Sequence, residues 1–200
     1  MTHKSDTQQL IKSFFAYVNT QFHTQVRSIR TDNGGEFVSL RTFFSDHGVL
    51  FQTSCVYTPQ QNGVVERKHR HLLETARALR FQSHLPLKFW GECVLTAAYT
   101  INRLPTRLLH NKSPFEVLHT TTPSYDHFRV FGCLAYATSI HPTTKFSPRA
   151  QRCAFIGYPL GQKAYKLYDL DTHRTFTSRD VIFHENSFPF AASSPPSQPP

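Results

Sequence analysis

The chain has 200 residues, of which 39% are hydrophobic, and its formal net charge is +9 at pH 7. This length allows one ordinary domain or two small ones, and the apolar content excludes a chain that is disordered throughout. No apolar run approaches the roughly 20 residues of a membrane-spanning helix, and the N-terminus has no apolar signal core, so neither a transmembrane segment nor a signal peptide is predicted.

The first 120 residues mix helical and extended patterns and predict an α/β domain over residues 1–120. Capping residues open several of the predicted helices, and Gly48 is a left-handed stop for the second of them. The predicted helices are Ser5 or Asp6 to about Phe22, Leu40 to His47, Val64 to about Gln82, Pro86 to before Pro105, and Ser113 to Leu118; the predicted strands are Val26 to Thr31 and Val49 to Ser54.

From about Phe128 the apolar residues come in short runs with turns between them, rich in aromatic and β-branched side chains. This pattern predicts a small antiparallel sheet or barrel over residues 121–190. The runs are Phe128–Ala137, Cys153–Tyr158, Ala164–Leu170 and Phe176–Phe183. Residues 191–200 hold prolines and serines without a charge, which predicts a disordered tail.

The four cysteines are far apart and form no Cys-x-x-Cys pair, and the histidines have no zinc-ligand spacing. Neither a zinc site nor a disulfide framework is therefore indicated. Isolated cysteines of this kind usually act as small buried hydrophobes in a reducing compartment.

Asp32 follows the first predicted strand and precedes Asn33-Gly34-Gly35-Glu36. Taken alone, this motif most often indicates a turn. Glu66 opens the long helix after a loop that contains Gln60, Gln61 and Asn62, and an acid there is favoured by the helix dipole alone. Together, the two carboxylates on neighbouring elements could share divalent metal ions that drive phosphoryl transfer.

The helix that carries Glu66 also concentrates positive charge, whereas its only other acid is Glu74. An ordinary solvated face would pair Glu66 with Arg70 and Arg70 with Glu74. That interpretation leaves four cations without a partner, and a nucleic-acid backbone beside the metal site would use them. They are Arg67, Lys68, Arg77 and Arg80.

Motifs along almost the whole chain resemble the integrase of copia-type LTR retrotransposons. The matching segments, in order, are residues 31–37 (TDNGGEF), 57–63 (YTPQQNG), 66–70 (ERKHR), 89–92 (FWGE), 101–105 (INRLP), 129–133 (RVFGC), 155–158 (FIGY) and 178–185 (SRDVIFHE).

This resemblance implies an RNase H-like catalytic core followed by an SH3-like β-barrel, within a Pol polyprotein that has protease before the integrase and reverse transcriptase after it. It implies DNA 3′-end processing and strand transfer by two Asp, one Glu and two Mg²⁺ or Mn²⁺ ions, performed by a multimer on element ends and target DNA. The protein would act in the nucleus after a cytoplasmic particle stage. By motif position, Asp32 and Glu66 match the second and third acids, Gln61 and Asn62 the loop amides near DNA, and Arg67, Lys68 and Arg70 the backbone contacts.

The family's first acid lies on the first strand of the core, before the first helix. Asp6 is the sole acid upstream of Asp32 here and has the position of a helix cap. The expectation is an N-terminally truncated core without its first strands, whose remaining first strand has an uncovered edge, and a chain that is inactive or nearly so by itself.

Three functional interpretations stay open. The chain is a fragment of a polynucleotidyl transferase, or a non-catalytic nucleic-acid-binding remnant or domesticated module, or an RNase H-type hydrolase. The ordered copia-like motifs favour the first over the third.

Overall fold

The computed structural model describes residues 6–55, 59–138 and 149–191, except for the side chains of residues 59 and 60. The chain divides into two compact units, Met1–Lys68 and His69–Pro200. No helix in the described ranges is long and apolar enough to cross a membrane.

The first unit combines helices with two parallel strands. Its elements are α1 (Asp6–Phe22), β1 (Ser28–Thr31), α2 (Gly35–Val38), α3 (Arg41–Asp46), β2 (Leu50–Thr53), a 3₁₀ turn (Pro59–Asn62) and the start of α4 (Gly63–Gln82). β1 and β2 pair in parallel, from Ser28 opposite Leu50 to Thr31 opposite Thr53. As predicted, Gly48 ends the helix before β2, with a φ of 66°. The short helix α2 was not predicted, because its four residues are too few for a periodic pattern.

A small apolar core joins these elements. Leu40, Phe44 and Val49 are buried, and side chains from α1 and both strands pack on them. α1 itself has no fully buried residue. Its Leu10, Phe14 and Tyr17 are more than half exposed. Among the described strands β1 pairs with β2 alone, so the expected open edge is present.

The second unit contains the rest of α4, then α5 (Trp90–Arg103), α6 (Pro114–His119) and five strands: β3 (Leu134–Thr138), β4 (Ala150–Gly157), β5 (Tyr165–Asp169), β6 (Thr175–Ser178) and β7 (Val181–His184). The strands form one antiparallel sheet in the order β6-β5-β4-β3-β7. The run predicted over residues 176–183 is two strands, because Arg179 and Asp180 form a turn within it. Residues 128–133 do not extend β3: only Phe131 and Gly132 form a turn, and the other four are irregular.

Two apolar clusters hold this unit together. The first joins α5 and the segment between α4 and α5 to the sheet through Leu85, Phe89, Cys93 and Ile156. The second lies around Phe155 and Leu167 on the sheet. Burial of such side chains contributes about 1.5–3 kcal/mol each relative to exposure.

Two glycines allow the helices to approach the sheet and the loop that enters it. A Cβ on Gly132 would lie 2.1 Å from the Cβ of Ser83, and a Cβ on Gly157 would lie 2.6 Å from Oγ1 of Thr96. Both glycines also have a positive φ. The Oγ1 of Thr96 is buried without a hydrogen-bond partner in the described part of the chain.

The observed architecture agrees with the predicted fold class: an α/β region with a parallel strand pair is followed by a five-stranded antiparallel sheet. The predicted domain boundary near residue 120 lies inside the second unit, because α5 packs directly on β4. The proposed domain ranges therefore stay a prediction. The tail was predicted over residues 191–200, of which all except Ala191 lie outside the described residues.

Candidate catalytic and nucleic-acid interface

Asp32 is the first residue after β1, and its side chain is exposed. Its Oδ1 accepts a hydrogen bond of 3.0 Å from the backbone N–H of Gly34, while its backbone carbonyl accepts one of 2.8 Å from the hydroxyl of Thr31. These bonds hold the carboxylate at the end of the strand, and within the described ranges no residue donates to its Oδ2.

Glu36 is a neighbour of Asp32 that the sequence analysis did not assign to the site. A Cβ on Gly34 would lie 3.0 Å from Oδ1 of Asp32 and 3.1 Å from Oε2 of Glu36, so both carboxylates border the same side of Gly34. The Asn-Gly-Gly-Glu segment carried this signal, because glycine permits close approach of neighbouring side chains.

Two hydrogen bonds connect the Asp32 turn to the loop before α4. The Nδ2 of Asn33 donates to the carbonyl of Ser54 at 2.9 Å. The backbone N–H of Cys55 then donates to Oε1 of Gln61 at 2.8 Å. Since α4 begins at Gly63, two residues after Gln61, these bonds join the carboxyl ends of β1 and β2 to the start of the helix. Asn62, in the same turn, is half-buried.

Glu66 lies in the first turn of α4, and Glu66, Arg67 and Lys68 are all exposed. Arg70, on the same helix but in the second unit, is exposed as well. Among the described residues no ion pair within 4.0 Å involves a side chain of α4. The ion pairs that an ordinary solvated face would form from Glu66 to Arg70 and from Arg70 to Glu74 are therefore not formed.

Arg30 and Gln52 form a second polar feature at these strand ends that the sequence analysis missed. The guanidinium of Arg30 donates to Oε1 of Gln52 through Nη2 at 2.9 Å and through Nε at 3.2 Å. With Thr53 and Gln61 they line a groove of about 530 Å³. Arg30 lies two residues before Asp32, and side chains two residues apart in an extended segment share a face, so this spacing was the available signal.

The oxygen donors here suit a hard cation such as Mg²⁺ or Mn²⁺. Asp32 and Glu66 belong to the same unit, and both carboxylates are exposed. Within the ranges that the structure describes, no three or more His, Cys, Asp and Glu side chains are grouped closely enough to hold a metal ion. The chain thus offers carboxylates for a cation but no complete ligand set among those residues.

The cysteines follow the sequence interpretation with one exception. Cys93, Cys133 and Cys153 are buried thiols, but Cys55 is exposed because it lies in the loop after β2. Burial raises the pKa of Cys133 and of Cys153 to about 12, so neither is a nucleophile at neutral pH.

Comparison with known proteins gives consistent matches. The family model of the retroviral polymerase SH3-like domain matches residues 133–197. The Retrovirus-related Pol polyprotein from transposon RE1 of Arabidopsis thaliana is 42% identical over 190 residues, which is 94% of this chain and 13% of that protein. The Retrovirus-related Pol polyprotein from transposon TNT 1-94 of Nicotiana tabacum is 36% identical over 192 residues, 94% of this chain and 14% of that protein.

A solved cryoEM structure, the simian T-cell lymphotropic virus intasome in complex with PP2A regulatory subunit B56 gamma, includes a chain that is 18% identical, with a TM-score of 0.47. That match covers 88% of this chain and 62% of the other. The chain therefore spans only a small part of the Pol polyproteins it matches, and 62% of the matched intasome chain.

The α/β unit, the antiparallel sheet and the matched SH3-like segment define an integrase-type core followed by an SH3-like domain. The relatives narrow this class. Its strong homologues are retrovirus-related Pol polyproteins of copia-type transposons, and the chain fits the integrase region of such proteins.

Proposed function

We propose that this chain is the DNA-binding part of a retrotransposon integrase and carries two of the carboxylates for metal-dependent DNA integration. The observation that carries the proposal is the exposed first turn of α4, where Glu66 is followed by Arg67 and Lys68 without ion-pair partners among the described side chains. Hydrogen bonds link the loop before this turn to the strand ends that present Asp32.

Asp32 and Glu66 would hold Mg²⁺ or Mn²⁺, with two ions bound once a third acid completes the set. A bound divalent cation lowers the pKa of the attacking water or 3′-hydroxyl and stabilises the leaving oxygen. The chain's own contribution is positional: the Gly34 N–H orients the carboxylate of Asp32, and the first turn of α4 presents that of Glu66.

The DNA contacts proposed are Arg67, Lys68 and Arg70 to phosphates, and Gln61 and Asn62 to the DNA end. The Oε1 of Gln61 already accepts from Cys55, which leaves the amide NH₂ of Gln61 as the donor available to DNA. Phosphate contacts position a protein on DNA, whereas amides can also contact base edges.

The proposal extends to partners and location. DNA ends and target DNA are the substrates, a homo-multimer joins two ends, and a reverse transcriptase region follows in the parent polyprotein. The integrase acts in the nucleus. The net charge of +9 suits a polyphosphate partner in such an assembly.

Binding of a fluorescent DNA duplex, measured by anisotropy over a range of salt, tests the DNA contacts. We expect Arg67→Ala/Lys68→Ala to reduce the salt slope by about 1.8, since each phosphate contact contributes roughly 0.9 on duplex DNA. The matched control Lys112→Ala/Arg152→Ala removes two exposed positive charges elsewhere. Equal slopes for both double variants would contradict the assignment.

A non-catalytic binder is the second candidate, favoured by the absence of a complete metal-ligand group among the described residues. A measurement of Mn²⁺ binding distinguishes the integrase from the non-catalytic binder. The decrease of the EPR signal of free Mn²⁺ reports the binding. The integrase proposal expects Asp32→Asn and Glu66→Gln each to weaken Mn²⁺ binding. If neither variant changes Mn²⁺ binding while duplex binding persists, the binder is supported instead.

A further inference from the structure

A cavity of about 750 Å³ lies in the second unit, between α5 and the loop that joins β4 to β5. Its charged lining is one-sided: Arg103, Lys163 and Arg179 border it, and none of the described residues that line it is Asp or Glu. Arg179 has an ion-pair partner in Asp180 at 3.6 Å, but both side chains are 78% exposed and such pairs are weak.

Arg103 is held in position before any ligand arrives. Its Cζ lies 3.5 Å from the ring centroid of Tyr99 and 4.8 Å from that of Phe115. Its Nη1 also donates to the carbonyl of Tyr99 at 3.3 Å. Tyr99 in turn stacks on Tyr158, with ring centroids 4.2 Å apart. A cation fixed in this way loses little conformational entropy when it binds an anion.

His127 adds a titratable group to the same cavity. Its Nε2 lies 2.6 Å from the hydroxyl of Tyr99. Burial lowers the pKa of His127, and the charges of Arg103, Arg129 and Lys163 lower it further against the opposing effect of Asp126. An anion in the cavity would offset those cations and favour the protonated ring.

The rim is apolar as well as basic, which distinguishes the cavity from a site for a bare ion. Leu160 is 91% exposed and Leu95 is 56% exposed, and Pro159 and Asn102 complete this side. Contiguous exposed apolar surface that is rimmed by polar residues marks interaction sites. A nucleotide would match this lining, because its phosphate suits the cations, its base or sugar suits the apolar surface, and its base edge suits an amide.

We propose that this cavity binds a phosphate-bearing segment of a single nucleic-acid strand, held by Lys163, Arg179 and Arg103. The proposal rests on the proposed function for the identity of the ligand, but it uses none of the residues of α4. The cavity volume is in the range of sites that enclose small-molecule ligands, so it accommodates an unpaired nucleotide rather than a base-paired helix.

Binding of a fluorescent 5′-phosphorylated oligothymidine to the full chain, measured by anisotropy, tests the proposed site. We expect Lys163→Ala/Arg179→Ala to weaken binding and to reduce the salt slope by about 1.4, since each phosphate contributes roughly 0.7 on single strands. Lys112→Ala/Arg152→Ala is the matched control and should retain the wild-type slope. Equal losses in the two variants would overturn the proposal.

Further measurements separate this site from α4 and from other ligands. Arg67→Ala/Lys68→Ala should weaken duplex binding and leave the short single strand bound. If this variant lost single-strand binding as well as duplex binding, the single strand would bind at α4, and the proposed cavity site would be wrong. Displacement of the oligonucleotide by an acidic peptide as effectively as by unlabelled oligonucleotide would also reject it, whereas thymidine monophosphate and inorganic phosphate should displace it only at higher concentrations.

The pH dependence gives an independent check. Because His127 takes up a proton more readily with a phosphate nearby, wild-type affinity for the oligonucleotide should increase as the pH falls from 7.5 to 5.5. His127→Gln should show a smaller increase. If His127→Gln showed the same increase in affinity as the wild type, the role of His127 in the cavity would be refuted. Circular dichroism checks that the variant is folded.

Discussion

Gly34 and Gly35 have different neighbours, although they are adjacent. A Cβ on Gly34 would meet the carboxylates of Asp32 and Glu36 at 3.0–3.1 Å, whereas a Cβ on Gly35 would meet nothing within 4 Å. The φ of Gly34 is −58°, so alanine is not strained there. An alanine at position 34 would therefore press on the two carboxylates, which would have to shift by a few tenths of an ångström.

Gly34→Ala should displace the carboxylate of Asp32 without unfolding the protein. We expect Mn²⁺ affinity to fall by about tenfold, the lower end of what loss of an outer-shell partner costs, with the free energy of unfolding changed by less than about 0.5 kcal/mol. Gly35→Ala is the control and should retain Mn²⁺ affinity. EPR titration and urea denaturation measure the two quantities, and equal effects of both alanines would be inconsistent with this role of Gly34.

Asp169 is a buried acid outside the candidate interface, at the turn between β5 and β6. Burial by itself would raise the pKa of Asp169, but hydrogen bonds from the backbone N–H groups of Thr172 and Asp171, together with the Thr172 side chain and the His173 charge, outweigh it and lower the pKa. A lowered pKa means that the folded state favours the ionised carboxylate.

The stability that Asp169 contributes should therefore be present above its unfolded pKa of about 3.9 and be lost as the pH falls through the lower folded value. We expect Asp169→Asn to reduce the free energy of unfolding by about 1–2 kcal/mol at pH 7, and by less near pH 3. Chemical denaturation at both pH values measures this. Asp171 is an exposed neighbour, and Asp171→Asn is the control. If the stability loss of Asp169→Asn were larger at pH 3 than at pH 7, the folded-state pKa of Asp169 would be raised rather than lowered.

At the scale of elements, the segment before β3 and the turn after α4 meet at Gly132 and Ser83. Gly132 belongs to the Arg-Val-Phe-Gly-Cys motif, and Ser83 is fully buried. The hydroxyl of Ser83 donates to the carbonyl of Leu79 at 2.7 Å, so the serine cannot easily move aside. The glycine in this motif thus serves the packing of helix against sheet.

Gly132→Ala should destabilise the second unit strongly. A clash at 2.1 Å combines with a φ of +78°, and overpacking alone typically costs about 1–3 kcal/mol. Gly161→Ala separates the two effects, because Gly161 has a φ of +70° but nothing within 4 Å of its Cβ position. We expect thermal unfolding to show a small loss for Gly161→Ala and a large loss for Gly132→Ala.

The second variant Ser83→Gly/Gly132→Ala tests the contact itself. Removing the serine Cβ removes the atom that the new alanine would strike, so the double variant should recover part of the loss. A double variant that is as unstable as the sum of the single ones would show that the backbone conformation, rather than Ser83, limits position 132.

At the scale of the whole molecule, charge and carboxylates lead to different expectations for binding and for chemistry. The net charge of +9 favours DNA at low salt. The resemblance assigns only Asp32 and Glu66 of the three acids that its mechanism uses, so the proposed function predicts little chemistry from these two residues alone.

We accordingly expect the purified chain to bind duplex DNA and to give no measurable strand transfer with Mn²⁺ in a gel assay of labelled donor and target DNA. The parallel Asp32→Asn sample is the control for contaminating nucleases. Robust transfer that disappears in Asp32→Asn would show that the chain completes its own active site.

Several features were predictable from the sequence because they depend on residues that are near one another in the chain. Helical spacing predicted α1 and α4, Gly48 predicted the end of α3, and aromatic runs predicted the sheet. The boundaries of β6 and β7 were not predictable, since the turn at Arg179 and Asp180 lies inside one apolar run. Glu36 and Arg30 were missed although each lies within four residues of Asp32, whereas the bond from Arg30 to Gln52 depends on the pairing of β1 with β2.

The sequence by itself indicated the resemblance to copia-type integrases, most of the helices and strands, and the concentration of positive charge on α4, since each of these depends on local motifs and composition. Only the tertiary structure decided that Gln61 bonds to Cys55, that Gly132 and Gly157 face Ser83 and Thr96, and that Arg103, Lys163 and Arg179 border one cavity. These contacts join residues brought together by packing, and no local pattern specifies which distant side chain will meet another.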